Sequence, residues 1–238
     1  KFLCESMGYP VIIKAASGGG GKGMRLVNND SELSNSFEMA KIEAQAAFSD
    51  DNVYIEKYLK NPRHIEIQIL CDSFGNIIPL GERECSLQRR HQKILEESPS
   101  CIMNESLRKK LYTSSIKACK AVNYVGAGTI EYLVDDEFNY YFMEMNTRIQ
   151  VEHPVTEMVL GVDLIKYQIM CHANYQLPSW MHFLKPRGHA IECRINAEDP
   201  SKDFQPSPGI ISVCHQPSGF RTRVDGSIFQ GCKVTPYY

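Results

Sequence analysis

The sequence predicts an α+β fold, and three observations carry that reading. Strand-like and helix-like segments are mixed along the chain without a regular βαβ rhythm. Residues 10 to 59 read as strand, glycine-rich turn, strand, helix and strand, a compact unit of the size of a lid. From His64 the pattern becomes strict alternation, with Ile65, Ile67 and Ile69 on one face and His64, Glu66 and Gln68 on the other, which marks a strand with a polar working face. The chain has 238 residues, enough for one large domain or two smaller ones, and shows no internal repeat. With 43% hydrophobic residues and a net charge of −2 it reads as an ordinary globular protein, and the charge balance implies neither a nucleic-acid nor a membrane partner. No apolar run approaches the ~20 residues of a membrane span. The 9 cysteines are odd in number and include no C-x-x-C, so free thiols in a reducing compartment are expected, the cytoplasm or an organellar matrix or stroma. The chain lacks an initiator Met, opens within a helix end and stops at VTPYY, which reads as a fragment of a longer protein.

The first strand is PVIIKAA, followed directly by SGGGGKGM. Consecutive glycines are entropically costly unless the backbone must bend sharply or approach something closely, and a phosphate chain is the usual reason. The Walker A pattern fails, because Ala16 stands where its first glycine belongs and Gly23 follows Lys22. Gly18, Gly20 and Gly23 satisfy G-x-G-x-x-G literally, but Met24-Arg25-Leu26-Val27 reads as a second strand and not as the helix that pattern requires. A flap between two strands, closing over nucleotide phosphates, and a plain glycine-rich turn are the two readings left. Asn28-Asn29 then makes a turn, and Asp30 or Ser31 caps a helix through Phe48, with Leu33, Phe37, Ala40, Ala44 and Ala47 on one face. Val53–Tyr58 closes the unit as a strand.

Beyond the alternating strand, Ile77–Leu80 and Glu82–Ser86 are expected as two further strands. A basic loop follows within ERECSLQRRHQK, carrying Arg83, Arg89, Arg90, His91 and Lys93. It is too short and too poor in aromatics for a nucleic-acid patch, and suits an anion-binding loop or a solvated turn. A helix over Glu105–Val122, strands at Thr129–Val134 and Tyr140–Met145, a helix near Thr156–His172 and strands from His189 complete the order.

GTIEYLV and YYFMEMN, joined by a polar turn, read as a hairpin. With a four-residue loop from Asp136 to Asn139, Glu131 falls opposite Glu144 on one face. Like charges directly opposite are destabilising. Either a divalent cation offsets them, with Asn146 as a further oxygen ligand suited to Mg²⁺ or Mn²⁺, or both are solvated on an exposed face. Arg148, Gln150 and Glu152 follow in alternation, a guanidinium and a carboxylate that can hold a small oxyanion and take its proton, or form a structural salt bridge.

In five places, YPVIIKAASGGGGKGM, EKYLKNPRHIEIQIL, QRRHQK, MEMNTRIQVEHPVTE and HAIECRINAEDP, the chain resembles biotin carboxylase, an ATP-grasp enzyme, and the segments run in the family's order. The resemblance implies an ATP-grasp fold truncated at both ends. Residues 1–59 would be the lid lobe with its glycine flap, 60–186 a larger mixed-sheet core lobe with the metal and bicarbonate site, and 187–238 the start of the C-terminal region. It also implies that Lys14, Gly20, Gly21, Glu56, Lys57, Leu59, His64, Gln88, His91, Glu131 and Glu144 bind ATP, and that Glu131, Glu144 and Asn146 hold the metal. Lys93, Arg148, Gln150 and Val151 would cradle bicarbonate, Glu152 would be the base, and Arg194 would hold the biotin enolate, with Lys93, Arg148, Glu152 and Arg194 as the catalytic set.

The activity implied is ATP-dependent carboxylation of carrier-bound biotin through carboxyphosphate, the first half-reaction of a biotin-dependent carboxylase such as the acetyl-CoA carboxylase of fatty acid biosynthesis. The implied partners are bicarbonate, a biotin carboxyl carrier, a carboxyltransferase component and, at full length, a second copy of the chain. The fragment by itself is expected to be inactive. The rival readings are another bicarbonate-activating ATP-grasp ligase of the carbamoyl-phosphate synthetase type, and an ATP-binding relative without chemistry.

Overall fold

Nine residues of alternating character, Arg63–Cys71, become the axis of the largest sheet in the computed structural model, which describes residues 1–17 and 23–235. The chain divides into two units, Lys1–Cys193 and Arg194–Tyr238. In the first unit the elements run α1 (Phe2–Met7), β1 (Val11–Ala15), β2 (Arg25–Val27), α2 (Asp30–Phe48), β3 (Val53–Lys57), β4 (Arg63–Cys71), β5 (Ile77–Arg89), β6 (Gln92–Ser98), α3 (Glu105–Ala121), β7 (Gly126–Val134), β8 (Tyr140–Asn146), α4 (His153–Leu160), α5 (Leu164–His172) and β9 (Ala190–Cys193). The second unit contributes two short antiparallel pairs, Glu198–Asp199 with Gln205–Pro206 and Gly209–Ile210 with Lys233–Val234.

A small antiparallel sheet, β2-β1-β3, carries α2 on one face. Val11, Ile13 and Val27 alternate inward and meet Leu33 and Ala40 of α2 and Cys4 of α1 in one buried cluster. The helix is capped one residue earlier than Asp30 or Ser31, by Asn29, whose side chain accepts from Glu32 N while the Glu32 carboxylate accepts from Asn28 N at 3.0 Å. The first bond satisfies a backbone donor that the first helical turn leaves open, and the second ties the residue before the cap back to the helix. The glycine flap from Gly18 to Lys22, including Gly20 and Gly21, lies outside the described residues.

The large sheet has the order β8-β7-β4-β5-β6-β9 with antiparallel pairing throughout. On one face Ile65, Ile67 and Ile69 of β4 pack with Ile130, Tyr132 and Val134 of β7 under Leu107, Leu111 and Cys119 of α3. Each fully buried isoleucine contributes about 1.5–3 kcal/mol of transfer free energy. On the other face Leu70, Ile78 and Leu80 meet Val159, Leu160 and Leu164 of α4 and α5. Further along β4 that same face carries Gln68, Glu66 and His64, all buried.

Three sequence expectations need correction. The two strands over residues 77–86 are one strand of 13 residues, and the basic loop is the end of β5, a two-residue turn at Arg90 and His91, and β6. Both turn residues have positive φ, 52° and 63°, a conformation usually given to Asn or Gly in such tight hairpins, and so the turn carried no glycine signal. The helix near Thr156–His172 is two helices, broken at Gly161, which takes φ 68° and ends α4 in the left-handed manner. The alternation of Arg148, Gln150 and Glu152 is not a strand either. The chain leaves the sheet after Asn146, exposes Arg148, buries Gln150 and Glu152, and enters α4 with Pro154 in its first turn.

The β7–β8 hairpin reaches the expected pairing by a different path. Val134 pairs with Tyr140, so the loop has five residues, Asp135 to Asn139, tied by Asp135 Oδ1 accepting from Glu137 N at 3.0 Å and Asn139 N at 2.8 Å. Tyr132 then pairs with Phe142 but Glu131 with Glu144, so Met143 is the extra residue of a β-bulge. The bulge flips the pleat. Tyr140 and Phe142 lie edge-on to Tyr132, with ring centroids at 5.7 and 6.4 Å, while Glu144 returns to the face of Glu131.

Candidate functional site

The registers bring four charged residues into one row across four strands. Glu144 on β8 pairs with Glu131 on β7, Glu131 with Glu66 on β4, and Glu66 with Arg83 on β5. Three carboxylates side by side repel, and Glu66 and Glu131 are in addition almost wholly removed from water. Such a row persists only if cations offset it, and two are supplied by the chain.

The first is Lys93, opposite Gln88 just after the hairpin turn. Its ammonium lies 2.5 Å from Glu66 Oε2, 2.9 Å from Glu131 Oε1 and 2.6 Å from Glu152 Oε1. Burial alone would lower the lysine pKa, but Glu66, Glu152 and Glu131 outweigh it and hold the group well above the usual lysine range, so it stays charged. The second is Arg83, fully buried, whose Nε donates to Glu66. Arg83 is therefore no part of an anion-binding loop; it sits inside the protein beneath the carboxylate row. Burial pushes the Glu66 carboxyl up, yet Arg83 and Lys93 together bring it below the ordinary value.

Glu131 receives several contacts at once. His64 Nε2 lies 2.7 Å from its Oε2, while Gln150 Nε2 and Asn146 Nδ2 donate to its Oε1 at 2.8 and 3.0 Å. Burial opposes ionisation, but His64 and Lys93 prevail and bring its pKa down to about 2. Gln88 Nε2 stands 3.1 Å from His64 Nδ1, leaving Nε2 of His64 turned to the carboxylate. Asn146 Nδ2 also donates to Glu144 Oε1 at 3.2 Å, so one amide spans the two facing glutamates. The two carboxylates are the kind of oxygen ligands a hard divalent cation such as Mg²⁺ or Mn²⁺ takes, while Asn146 turns its amide nitrogen to both and would present its oxygen only with the amide turned over. Glu144 is exposed and Glu131 is buried, so solvation describes Glu144 and not Glu131.

The remaining expected residues fall in four places. Lys14 on β1 and Glu56 on β3 form an ion pair across the small sheet, and Lys57 Nζ donates to Gly8 O at 2.6 Å, with Leu59 just beyond β3. His91 is exposed at the hairpin tip. Arg148 is exposed, its Nη1 donating to Ile149 O at 3.2 Å, and Val151 is exposed in the turn before α4. Arg194 opens the second unit. Sequence reasoning missed Glu66 and the interior place of Arg83. The signal for Glu66 was present in the alternation itself, since a glutamate between His64 and Gln68 shares their face; for Arg83, a cationic neighbourhood masked a buried residue.

A lid-sized antiparallel unit with a glycine-rich segment and a sheet that carries paired carboxylates and a partly buried lysine are the parts of an ATP-grasp fold. Residues 2–180 match the model of the carbamoyl-phosphate synthase L chain ATP-binding domain, residues 192–238 match that of the biotin carboxylase C-terminal domain, and the chain belongs to the biotin carboxylase family of ATP-grasp proteins. It is 54% identical to a biotin carboxylase of Nostoc sp. over 99% of this chain and 53% of that protein. Among solved structures it is similar to a biotin carboxylase complex from Campylobacter jejuni, at 52% identity and TM-score 0.91, over 98% of this chain and 52% of that one. It is also similar to the biotin carboxylase domain of the Hydrogenobacter thermophilus 2-oxoglutarate carboxylase, in complex with MgADP, ADP and bicarbonate, at 47% identity and TM-score 0.92, over 100% of this chain and 52% of that one. The chain thus spans about half the length of the curated relatives it matches. No helix among the described residues is long and apolar enough to cross a membrane.

Proposed function

We propose that this chain is the ATP-grasp part of an enzyme that carboxylates biotin with bicarbonate at the expense of ATP. The observation that carries the reading is Lys93, a partly buried cation 2.6 Å from the buried carboxylate of Glu152. A fixed positive charge beside a base is what a small oxyanion with a removable proton requires.

In this reading residues 1–59 form the lid, 60–186 the core and 187–238 the beginning of the C-terminal region. Lys14, Gly20 and Gly21 serve the ATP phosphates, Glu56, Lys57 and Leu59 the adenine, and His64, Gln88 and His91 further nucleotide contacts. Glu131, Glu144 and Asn146 hold Mg²⁺ or Mn²⁺, which neutralises phosphate charge when bound. Lys93, Arg148, Gln150 and Val151 orient bicarbonate. Glu152 takes its proton, and the bicarbonate oxygen attacks the γ-phosphorus as ADP leaves. The carboxyphosphate so formed separates into CO₂ and phosphate, the phosphate takes the N1′ proton of biotin, and N1′ adds to CO₂ while Arg194 steadies the enolate. The biotin belongs to a carrier, and a carboxyltransferase component consumes the product. The full-length protein is a dimer in this reading. The cysteine usage supports a reducing compartment, cytoplasm or stroma.

The test is an assay of the full-length protein with MgATP, bicarbonate and free biotin. Bicarbonate-dependent ADP release together with carboxybiotin is expected. ADP release that needs ammonia and ignores biotin would instead assign the protein to the carbamoyl-phosphate synthetase type, and no ATP cleavage at all would leave a binding relative.

A further inference from the structure

Arg83 has no part in the reaction as set out above, yet it is the most heavily bonded side chain at the site. Its Nε donates to Glu66, its Nη1 to Gln68 Oε1 at 2.6 Å and Thr156 Oγ1 at 3.0 Å, and its Nη2 to Thr129 Oγ1 at 3.1 Å and Gln150 Oε1 at 3.0 Å. A guanidinium has five N–H groups, and five different residues take them. Those acceptors belong to β4, β7, the segment between β8 and α4, and α4 itself. One residue therefore ties the sheet that bears the carboxylate row to the segment that bears Gln150 and Glu152.

We propose that Arg83 is a positioning residue for the carboxylation assigned above, and the inference rests on that assignment. Two chains of contact lead from it to the proposed chemistry. Gln150, held through its oxygen by Arg83, donates its Nε2 to Glu131 at 2.8 Å, and Glu152 follows two residues later. Glu66, held through Oε1, presents Oε2 to Lys93, which in turn meets Glu152. Arg83 thus orients the amide, the lysine and the base without touching bicarbonate. The planar fork is essential to this. A lysine has three donors on one nitrogen and cannot span acceptors spread over four segments, so it would retain the charge and lose the geometry. A base or cradle displaced by an ångström costs on the order of 10²-fold in rate.

The experiment compares Arg83→Lys and Arg83→Met with wild type in the full-length protein, reading kcat and KM for bicarbonate-dependent ATP cleavage and the Kd for MgADP. For Arg83→Lys, kcat is expected to fall about 10²-fold, with Arg83→Met lower still and the MgADP Kd within about twofold of wild type. Wild-type kcat in Arg83→Lys, or MgADP affinity lost in step with kcat, overturns the proposal. A crystal structure of Arg83→Lys separates this from the functional reading. If wild type shows no bicarbonate-dependent cleavage, the assigned reaction fails, while displaced Gln150 and Glu66 side chains still support the positioning role and unmoved ones refute it. Should Arg83→Lys not fold, Thr156→Val carries the test. It deletes one acceptor and no charge, and is expected to lower kcat roughly five- to tenfold with nucleotide affinity unchanged, a wild-type kcat being the refuting result.

Discussion

Glu131 accepts from Gln150 and Asn146 and lies against His64 and Lys93, so a change at this one carboxylate propagates in several directions. Glu131→Gln and Glu144→Gln each remove one charge from the oxygen set spanned by Asn146. In the full-length protein the Mg²⁺ concentration for half-maximal ATP cleavage should rise about 10-fold or more in both. An unchanged magnesium titration would mean that the pair is only solvated or ion-paired. Glu152→Gln keeps the size of the side chain and cannot accept a proton, so bicarbonate-dependent cleavage should drop by about 10² to 10⁴-fold with nucleotide binding retained. Arg194→Ala should lose carboxylation of free biotin more than biotin-independent ATP cleavage, and equal losses of both would place Arg194 in the bicarbonate site. At this scale the sequence was legible wherever residue type and spacing sufficed: Glu131 facing Glu144, and Gln150 and Glu152 close to them. It was not legible for Arg83, because burial of a charged side chain depends on partners from β4, β7 and α4 that sequence distance hides.

Among the elements, β4 was the clearest in the sequence because alternation of isoleucines with polar residues leaves little choice of secondary structure, and both of its faces are buried. Ile67→Ala opens a cavity under α3 and is expected to cost about 2–5 kcal/mol in urea unfolding of the full-length protein. A cost below about 1 kcal/mol would show that the α3 face collapses freely around the gap. The β5–β6 hairpin was obscured because Arg90 and His91 adopt left-handed backbone without glycine, and the break between α4 and α5 because a single Gly161 inside an apolar run is a weak signal. The hairpin β7–β8 is a case where the pairing was legible and its cause was not. A four-residue loop without a bulge and a five-residue loop with one both set Glu131 against Glu144, and the five-residue loop is the one held by the Asp135 hydrogen bonds and by the packing of Tyr140 and Phe142 on Tyr132.

For the molecule as a whole, the length relation to its relatives sets the terms. A chain that covers 53% of a Nostoc biotin carboxylase carries the proposed metal and bicarbonate residues but not the remaining half. The 238-residue chain alone is therefore expected to turn over ATP with bicarbonate far more slowly than the full-length protein, and equal rates from the two purified proteins would refute this. The α+β class was readable because strand-like and helix-like patterns are local and mixed along the chain, whereas the charge balance of the site arises only when four strands align. The bulge at Met143 bears on how such a protein tolerates a change in length. With Met143 deleted, Tyr132 still meets Phe142 and Glu131 still meets Glu144, now as consecutive pairs of a regular ladder. The strand thus contains one residue that counts for neither the aromatic contacts at its start nor the carboxylates at its end, and the chain can be shortened there with both kept, whereas loss of Phe142 or Glu144 would use up the same bulge and set Met143 in the place of an aromatic ring or of a carboxylate.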